Sequence, residues 1–256
     1  MSLPFVSVII PARGRPELAL IALGCALNQD YDSGYMEIVI FDDEDEPAFP
    51  SFTDPPALPC KPLIRYFRLP KFSTLGNKRN ALCEESHGDI IVHVDSDDLS
   101  APSRVSSQVH WLIQSGKAIT GFHTLPFYDI STGRAYCYHL NSSTVCGTSL
   151  VYSREFWRRH PFPNADIGED LTYASNKREH RLAVDSAGLL VALLHAGNTS
   201  SSKQVRNHPQ LFPLIQPSTL PAWFMPYANQ WHINPACGNV SEISKSASAS
   251  ASASTY

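Results

Sequence analysis

Residues 95–98 read Asp-Ser-Asp-Asp, three carboxylates within four positions, directly after the apolar run Ile90-Ile91-Val92-His93-Val94. Acids this close repel one another unless water or a cation sits among them. Two structures tolerate the pattern: a solvated turn that caps a helix, or a divalent-cation site. Other chemistry-bearing residues stand at comparable places. Asp42-Asp43 close a second apolar run, and His195 closes a third. Glu169-Asp170 follow Gly168, and Lys78-Arg79 lie in Leu75-Gly76-Asn77-Lys78-Arg79-Asn80. Each has a plain reading beside the chemical one. Asp42-Asp43 run into Glu44, Asp45 and Glu46 and could be an acidic loop. Glu169-Asp170 could be ordinary first-turn helix acids, Lys78-Arg79 a basic helix surface, and His195 a satisfied structural histidine.

The elements that must position these residues follow from periodicity. Residues 5–10 read as a strand ended by Pro11. Pro16 suits a first helical turn, and Leu18, Ile21, Ala22, Cys25 and Ala26 recur at helical spacing up to Asn28. Residues 36–41 form a second strand, so the chain opens strand–helix–strand, a parallel crossover. A Pro- and acid-rich loop over 44–62 precedes a short strand over 63–69, and a helix is expected over 77–86. The strand carrying the acid cluster follows, then a helix over 102–115. Strands are predicted over 118–127, 134–140, 145–152, 182–185 and 189–195, with helices over 154–160 and 169–179. This is an α/β pattern with a mixed central sheet flanked by helices. Ligands gather at the carboxyl ends of strands in such sheets, which is where Asp42-Asp43, residues 95–98 and His195 fall. Residues 206–240 are Pro- and aromatic-rich with little periodicity, an irregular extension to a domain spanning 1–205. Residues 241–256, mostly Ser and Ala, bury too little to order and are expected to be disordered.

Composition narrows the class. The 256 residues are 43% hydrophobic and 17% charged, typical of a globular chain. A net charge of −4 argues against a protein that coats nucleic acid. No run approaches the roughly 20 apolar residues of a membrane span, and no signal peptide is legible. Six Cys lack metal-site spacing and fall mostly in apolar segments, which fits buried thiols in a reducing, cytoplasmic setting.

Six ordered motifs resemble the family 2 glycosyltransferases of the GT-A fold. They are Val6-Ser7-Val8-Ile9-Ile10-Pro11 with the Arg15-Pro16-Glu17-Leu18 helix start, the strand ending Asp42-Asp43, the Leu75–Asn80 segment, Asp95-Ser96-Asp97-Asp98, Gly168-Glu169-Asp170, and Leu194-His195-Ala196-Gly197-Asn198-Thr199-Ser200. The last is similar to the ending of a bacterial and phage subgroup. The resemblance spans about residues 5–202 and implies a Rossmann-like nucleotide-diphospho-sugar transferase. It implies Asp170 as the base that deprotonates the acceptor, with Glu169 in support. Asp97 and Asp98 lead as ligands of Mn²⁺ or Mg²⁺, with Asp95 as ligand or ribose contact and His195 completing the set. Pro11, Ala12, Arg13, Asp42, Asp43, Lys78, Arg79, Asp95 and Ser96 would hold the donor, most simply a UDP-sugar, with Asp42 accepting from the base. Trp157 is either an acceptor platform or core. The acceptor would be a saccharide or another hydroxyl compound, a modified base in phage DNA being an alternative. Two rival activities share the fold: a nucleotidyltransferase making sugar nucleotides, and a non-catalytic nucleotide-sugar-binding module.

Overall fold

The structure, a computed structural model, describes residues 3–12, 15–49, 62–69, 74–141, 144–175, 178–198, 204–205 and 207–233. Arg13, Thr199, Ser200 and the tail 241–256 lie outside them. In chain order the elements are β1 (Val6–Ala12), α1 (Pro16–Leu27), β2 (Met36–Asp42), β3 (Leu63–Arg68), α2 (Leu75–Glu85), β4 (Ile90–His93), β5 (Leu99–Ser100) and α3 (Arg104–Ser115). There follow β6 (Ile119–Phe122), β7 (Thr124–Asp129), β8 (Ala135–His139), β9 (Val151–Ser153), α4 (Arg154–Arg159), α5 (Glu169–Ser175), β10 (Arg181–Val184), β11 (Leu190–Leu194), β12 (Leu214–Ile215) and a last helix, α6 (Met225–Ile233).

Among the described residues two sheets form. The central one has the order β10-β6-β9-β4-β1-β2-β3, and the second β12-β8-β7-β11-β5. β1 pairs in parallel with β2 on one side and β4 on the other, and β9 runs antiparallel between β4 and β6, so the central sheet is mixed. Every residue of β1 and β2 is buried, as expected where helices cover both faces of parallel strands. Val8, Ile10, Ile38 and Ile40 share one core with Ala19, Ala22 and Leu23 of α1 and Val105 and Val109 of α3. Ile9, Val39, Phe41 and Ile91 point the other way, toward Leu82 and Cys83 of α2, Tyr152 and Tyr173.

Pro11 does not end the first strand. It pairs in register with Phe41 and the strand continues to Ala12. Ile9 carbonyl accepts from Val94 N, so Pro11, two residues on, faces the same side, past the end of β4, where no ladder donor is required. The predicted strand over 118–127 divides at His123: β6 stays in the central sheet and β7 starts the second. The predicted strand over 145–152 is a tight turn at Gly147–Ser149 followed by β9, because Ser149 Oγ turns back on Cys146 carbonyl, 2.6 Å. Of the helix expected over 169–179, Glu169–Ser175 is helical and Arg178–His180 forms a tighter 3-10 turn, residues 176–177 lying outside the described residues. The extension is more regular than its composition suggests. It supplies β12, which pairs with β8, and α6, while Phe212 stacks on Tyr138 at 4.4 Å. Trp157 is core, 7% exposed, its indole donating to Asn80. Cys25, Cys83 and Cys146 are buried free thiols. Among the described residues no helix is long and apolar enough to cross a membrane.

A buried polar joint fixes the start of the sheet. Ser7 Oγ donates to Glu37 Oε1 at 2.6 Å and accepts from Gly88 N at 2.7 Å, while His87 N donates to the same carboxylate. A Cβ on Gly88 would stand 2.4 Å from Ser7 N and 2.8 Å from Val6 C, both backbone. Gly88→Ala is expected to destabilise the fold by about 1–3 kcal/mol, the usual cost of overpacking, measured by chemical denaturation.

Candidate active site

The acid turn joins the two sheets. β4 of the central sheet ends at His93, residues 94–98 turn with Asp98 N bonded to Asp95 carbonyl, and β5 of the second sheet begins at Leu99. β11 pairs with β5, so His195 arrives beside the turn from the second sheet rather than along the edge of the first. The turn opens on a cleft of about 780 Å³. Pro11, Asp43, Lys78, Arg79, Asp95, Ser96, Asp97, Asp98, Glu169 and Asp170 all line it.

The three acids have different surroundings. Asp97 Oδ2 accepts from Arg15 Nη1 at 2.6 Å, lies 3.0 Å from His195 Nε2, and is 3.4 Å from Asn198 Nδ2. Burial pushes its carboxyl up, but the His195 hydrogen bond and the Arg15 charge outweigh that and leave it below the ordinary value. Asp98 turns inward, accepting from Thr148 Oγ1 at 2.6 Å and Leu193 N at 3.2 Å. Burial, then the charges of Asp97 and Asp95, raise it well above a normal carboxylic acid. Asp95 is raised chiefly by burial, against the pull of Arg79.

α2 delivers the cations. Thr74 Oγ1 caps it by accepting from Asn77 N, and its first turns bury Lys78 and Arg79 instead of an apolar stripe. Arg79 is 2% exposed. It donates to Glu169 Oε1 at 3.0 Å and Asp95 Oδ1 at 3.2 Å, and its Nη1 meets His93 Nδ1 at 2.8 Å. Burial alone would lower its basicity; Asp95, Glu169 and Asp170 more than reverse this. His93 Nδ1 therefore accepts, leaving Nε2–H to donate to Tyr152 Oη at 2.7 Å; Tyr152 Oη is also 3.1 Å from Cys83 Sγ. Burial, then Arg79 and Arg104, push His93 well below its usual pKa, so it is neutral. Lys78 donates to Ala12 carbonyl and pairs with Asp43, while burial lowers its pKa.

Asp170 and Glu169 open α5. Asp170 faces Gly147, where a Cβ would sit 1.4 Å from its Oδ2, so only glycine leaves the carboxylate its place. Glu169 is 3% exposed, and burial raises its carboxyl to about 7 despite the Arg79 contact. Asp42, expected to meet the nucleotide base, is fully buried and does not line the cleft. It accepts from Ala48 N at 2.7 Å and Tyr66 Oη at 2.6 Å and so anchors the loop after β2. Ala12 is likewise buried, touching the site through its carbonyl.

The sequence profile of Glycosyl transferase family 2 matches residues 7–174. The chain belongs to that family. Its mixed central sheet flanked by helices is the GT-A fold. Three solved structures share the fold. S. aureus TarS in complex with UDP is 16% identical with a TM-score of 0.60, covering 74% of this chain and 60% of that one. TarS in complex with UDP-GlcNAc is 15% identical, TM-score 0.58, with coverage of 77% and 61%. The mannosyltransferase PcManGT from Pyrobaculum calidifontis, in complex with GDP-Man and Mn²⁺, is 18% identical, TM-score 0.59, with coverage of 99% and 76%. The chain thus spans about 60% of the TarS 1-349 chain and 37% of a longer TarS chain. No curated protein sequence matches it.

His93, Gly147, Thr148 and Arg104 do not stand out as site residues in the sequence. His93 left a signal, a polar residue inside an otherwise apolar strand. Arg104 left none, since it is a helix residue nine positions past Asp95. In the structure its Nη2 donates to His93 carbonyl at 2.6 Å and Thr148 carbonyl at 2.9 Å beneath the acids.

Two outcomes are expected. His93→Leu strands the buried Arg79 Nη1 and leaves Tyr152 Oη with Cys83 Sγ alone, and should cost on the order of 2–4 kcal/mol in denaturant titration. For Glu169, the folded-state value of about 7 exceeds the ordinary 4.5, so between these pH values the folded state holds the extra proton. Stability should therefore fall as pH rises from about 4.5 to about 7, and Glu169→Gln should flatten that slope in the same titration run across pH.

Proposed function

We propose that this glycosyltransferase moves a sugar from a nucleotide-diphospho-sugar, a UDP-sugar foremost, to an acceptor hydroxyl, with inversion and with the help of Mn²⁺ or Mg²⁺. The observation that carries the reading is the convergence of Asp95, Asp97, Lys78, Arg79 and Asp170 on one cleft. The relatives bound to UDP, UDP-GlcNAc and GDP-Man support a nucleotide donor. Asp170 is the base. The acceptor oxygen attacks the anomeric carbon as the bond to the diphosphate breaks, and its proton passes to the Asp170 carboxylate. Glu169 holds Arg79, whose charge lies between the base and the diphosphate platform. Lys78 and Arg79, at the start of α2, favour the anionic donor. Pro11, Asp43 and Ser96 flank it, while Asp42 acts through the loop it anchors.

The donor set fits a hard divalent ion in type: the Asp97 carboxylate beside the His195 imidazole, with Asp95 facing the same cleft. Among the described residues no group of three or more such side chains is already gathered. Asp97, His195 and Asp95 would hold the ion, and Asp98, engaged by Thr148 and Leu193, would brace the turn. When bound, the ion would neutralise the departing diphosphate.

The test is a thermal-shift panel of nucleotide sugars with and without Mn²⁺, joined to transfer assays. A metal-dependent rise in melting temperature with UDP-sugars is expected, and its absence in folded protein sinks the reading. Asp97→Ala should lose donor binding. Asp170→Asn should keep donor binding and lose transfer by a factor of at least about 100, the scale of general-base catalysis; full activity in that variant rejects Asp170 as the base.

A further inference from the structure

Arg15 stands where the cation would go. Its Nη1 is 2.6 Å from Asp97 Oδ2 and 3.3 Å from His195 Nε2, and it donates to Gly197 carbonyl at 3.2 Å. Asp97 Oδ2 and His195 Nε2 are themselves 3.0 Å apart. Two ligand atoms at right angles around an octahedral ion, each about 2.1 Å from it, are separated by about 3.0 Å. The spacing is that of the hydrogen bond between them and is also wide enough for such an ion, so the pair need not move apart to bind one, and a guanidinium nitrogen caps it. Gly197 ties the arrangement together, because its N–H donates to His195 Nδ1 at 3.1 Å while its carbonyl accepts from Arg15. A metal on Nε2 places the ring proton on Nδ1, so Gly197 must turn away, and releasing Arg15 is what frees Gly197 to do so. The backbone of Arg15 is held at φ 56°, ψ 58°, a left-handed conformation unusual for arginine, immediately before Pro16 and α1. That conformation sends the side chain across to Asp97 rather than to a cap of its own helix.

We propose that Arg15 is a resident cation that closes the Asp97–His195 pair in the free enzyme, yields its place to the divalent ion, and passes to the donor diphosphate in the same cleft. The proposal rests on the metal-dependent reading above. Its consequence is coupling: metal and nucleotide each relieve the other of displacing Arg15, so their binding is cooperative through this one side chain.

Isothermal titration of Mn²⁺ into the full-length protein, with and without UDP, tests it without any turnover. Arg15→Gln should bind Mn²⁺ alone about tenfold more tightly than the wild type, and the enhancement of Mn²⁺ binding by UDP should shrink by a similar factor. Arg15→Asn, a residue better suited to the left-handed backbone, should behave alike and guards against misfolding of the first variant. Unchanged Mn²⁺ affinity in both variants overturns the proposal alone. So does tighter Mn²⁺ binding with undiminished coupling to UDP, because a charge acting only at long range shifts each affinity separately. Failure of wild type and variants to bind Mn²⁺ at all, with UDP bound normally, overturns the metal reading and this proposal together.

Discussion

Negative charge has to be kept inside this protein at one turn, and much of the site follows from how that is done. Asp95, Asp97 and Asp98 crowd one turn, Asp98 buried and the other two half-buried, and cannot all be ionised without compensation. Three arginines from separate parts of the chain supply it. Arg15 reaches Asp97 from the start of α1, Arg79 reaches Asp95 from α2, and Arg104 lies beneath the turn from α3, its basicity lowered by burial to about 10 while Asp98 and Asp95 pull the other way. Each acid is then distinct: Asp97 paired with Arg15, Asp95 paired with Arg79, and Asp98 turned inward.

The same constraint explains why the turn lies where two sheets meet. A strand that simply ended at the edge of the central sheet would leave the acids in water. Here the chain passes from β4 into β5, and β11 brings Leu193 N and His195 against the acids from the second sheet. Arg104 locks the junction by binding both the His93 and Thr148 carbonyls. The buried relay Arg79–His93–Tyr152 continues into the central core, so the Arg79 cation is held by groups that also pack the sheet. A neutral histidine suits that place because a charged one would repel Arg79.

The proposed sugar transfer would divide two tasks along one cleft wall. The side carrying Lys78, Arg79 and Asp97 is built around charge, as the proposed anionic donor requires. The side carrying Asp170 is built around space, since Gly147 withdraws to let the carboxylate stand there. Arg79 bridges the two sides through Asp95 and Glu169.

Local sequence determined a good deal. Apolar runs ending in acids marked β2 and β4, Pro16 marked the start of α1, and Gly168-Glu169-Asp170 marked the start of α5, because strand burial and helix-start chemistry are written in short stretches. Tertiary structure alone decided the rest. Pro11 belongs inside β1 because its neighbour strand has already ended on that side. The run predicted as one strand over 118–127 serves two sheets, which no periodicity within it reveals. Asp42 and Asp43 are adjacent and identical in type, yet Tyr66 and the Ala48 amide seal the first away while the second meets Lys78 at the cleft. Arg15 and Asp97 are 82 positions apart and His195 a further 98 beyond Asp97. Their meeting depends on a left-handed backbone at one residue and on the pairing of β5 with β11. The sequence determined which side chains could bind a cation, and only the fold decided that an arginine of the chain itself would be there.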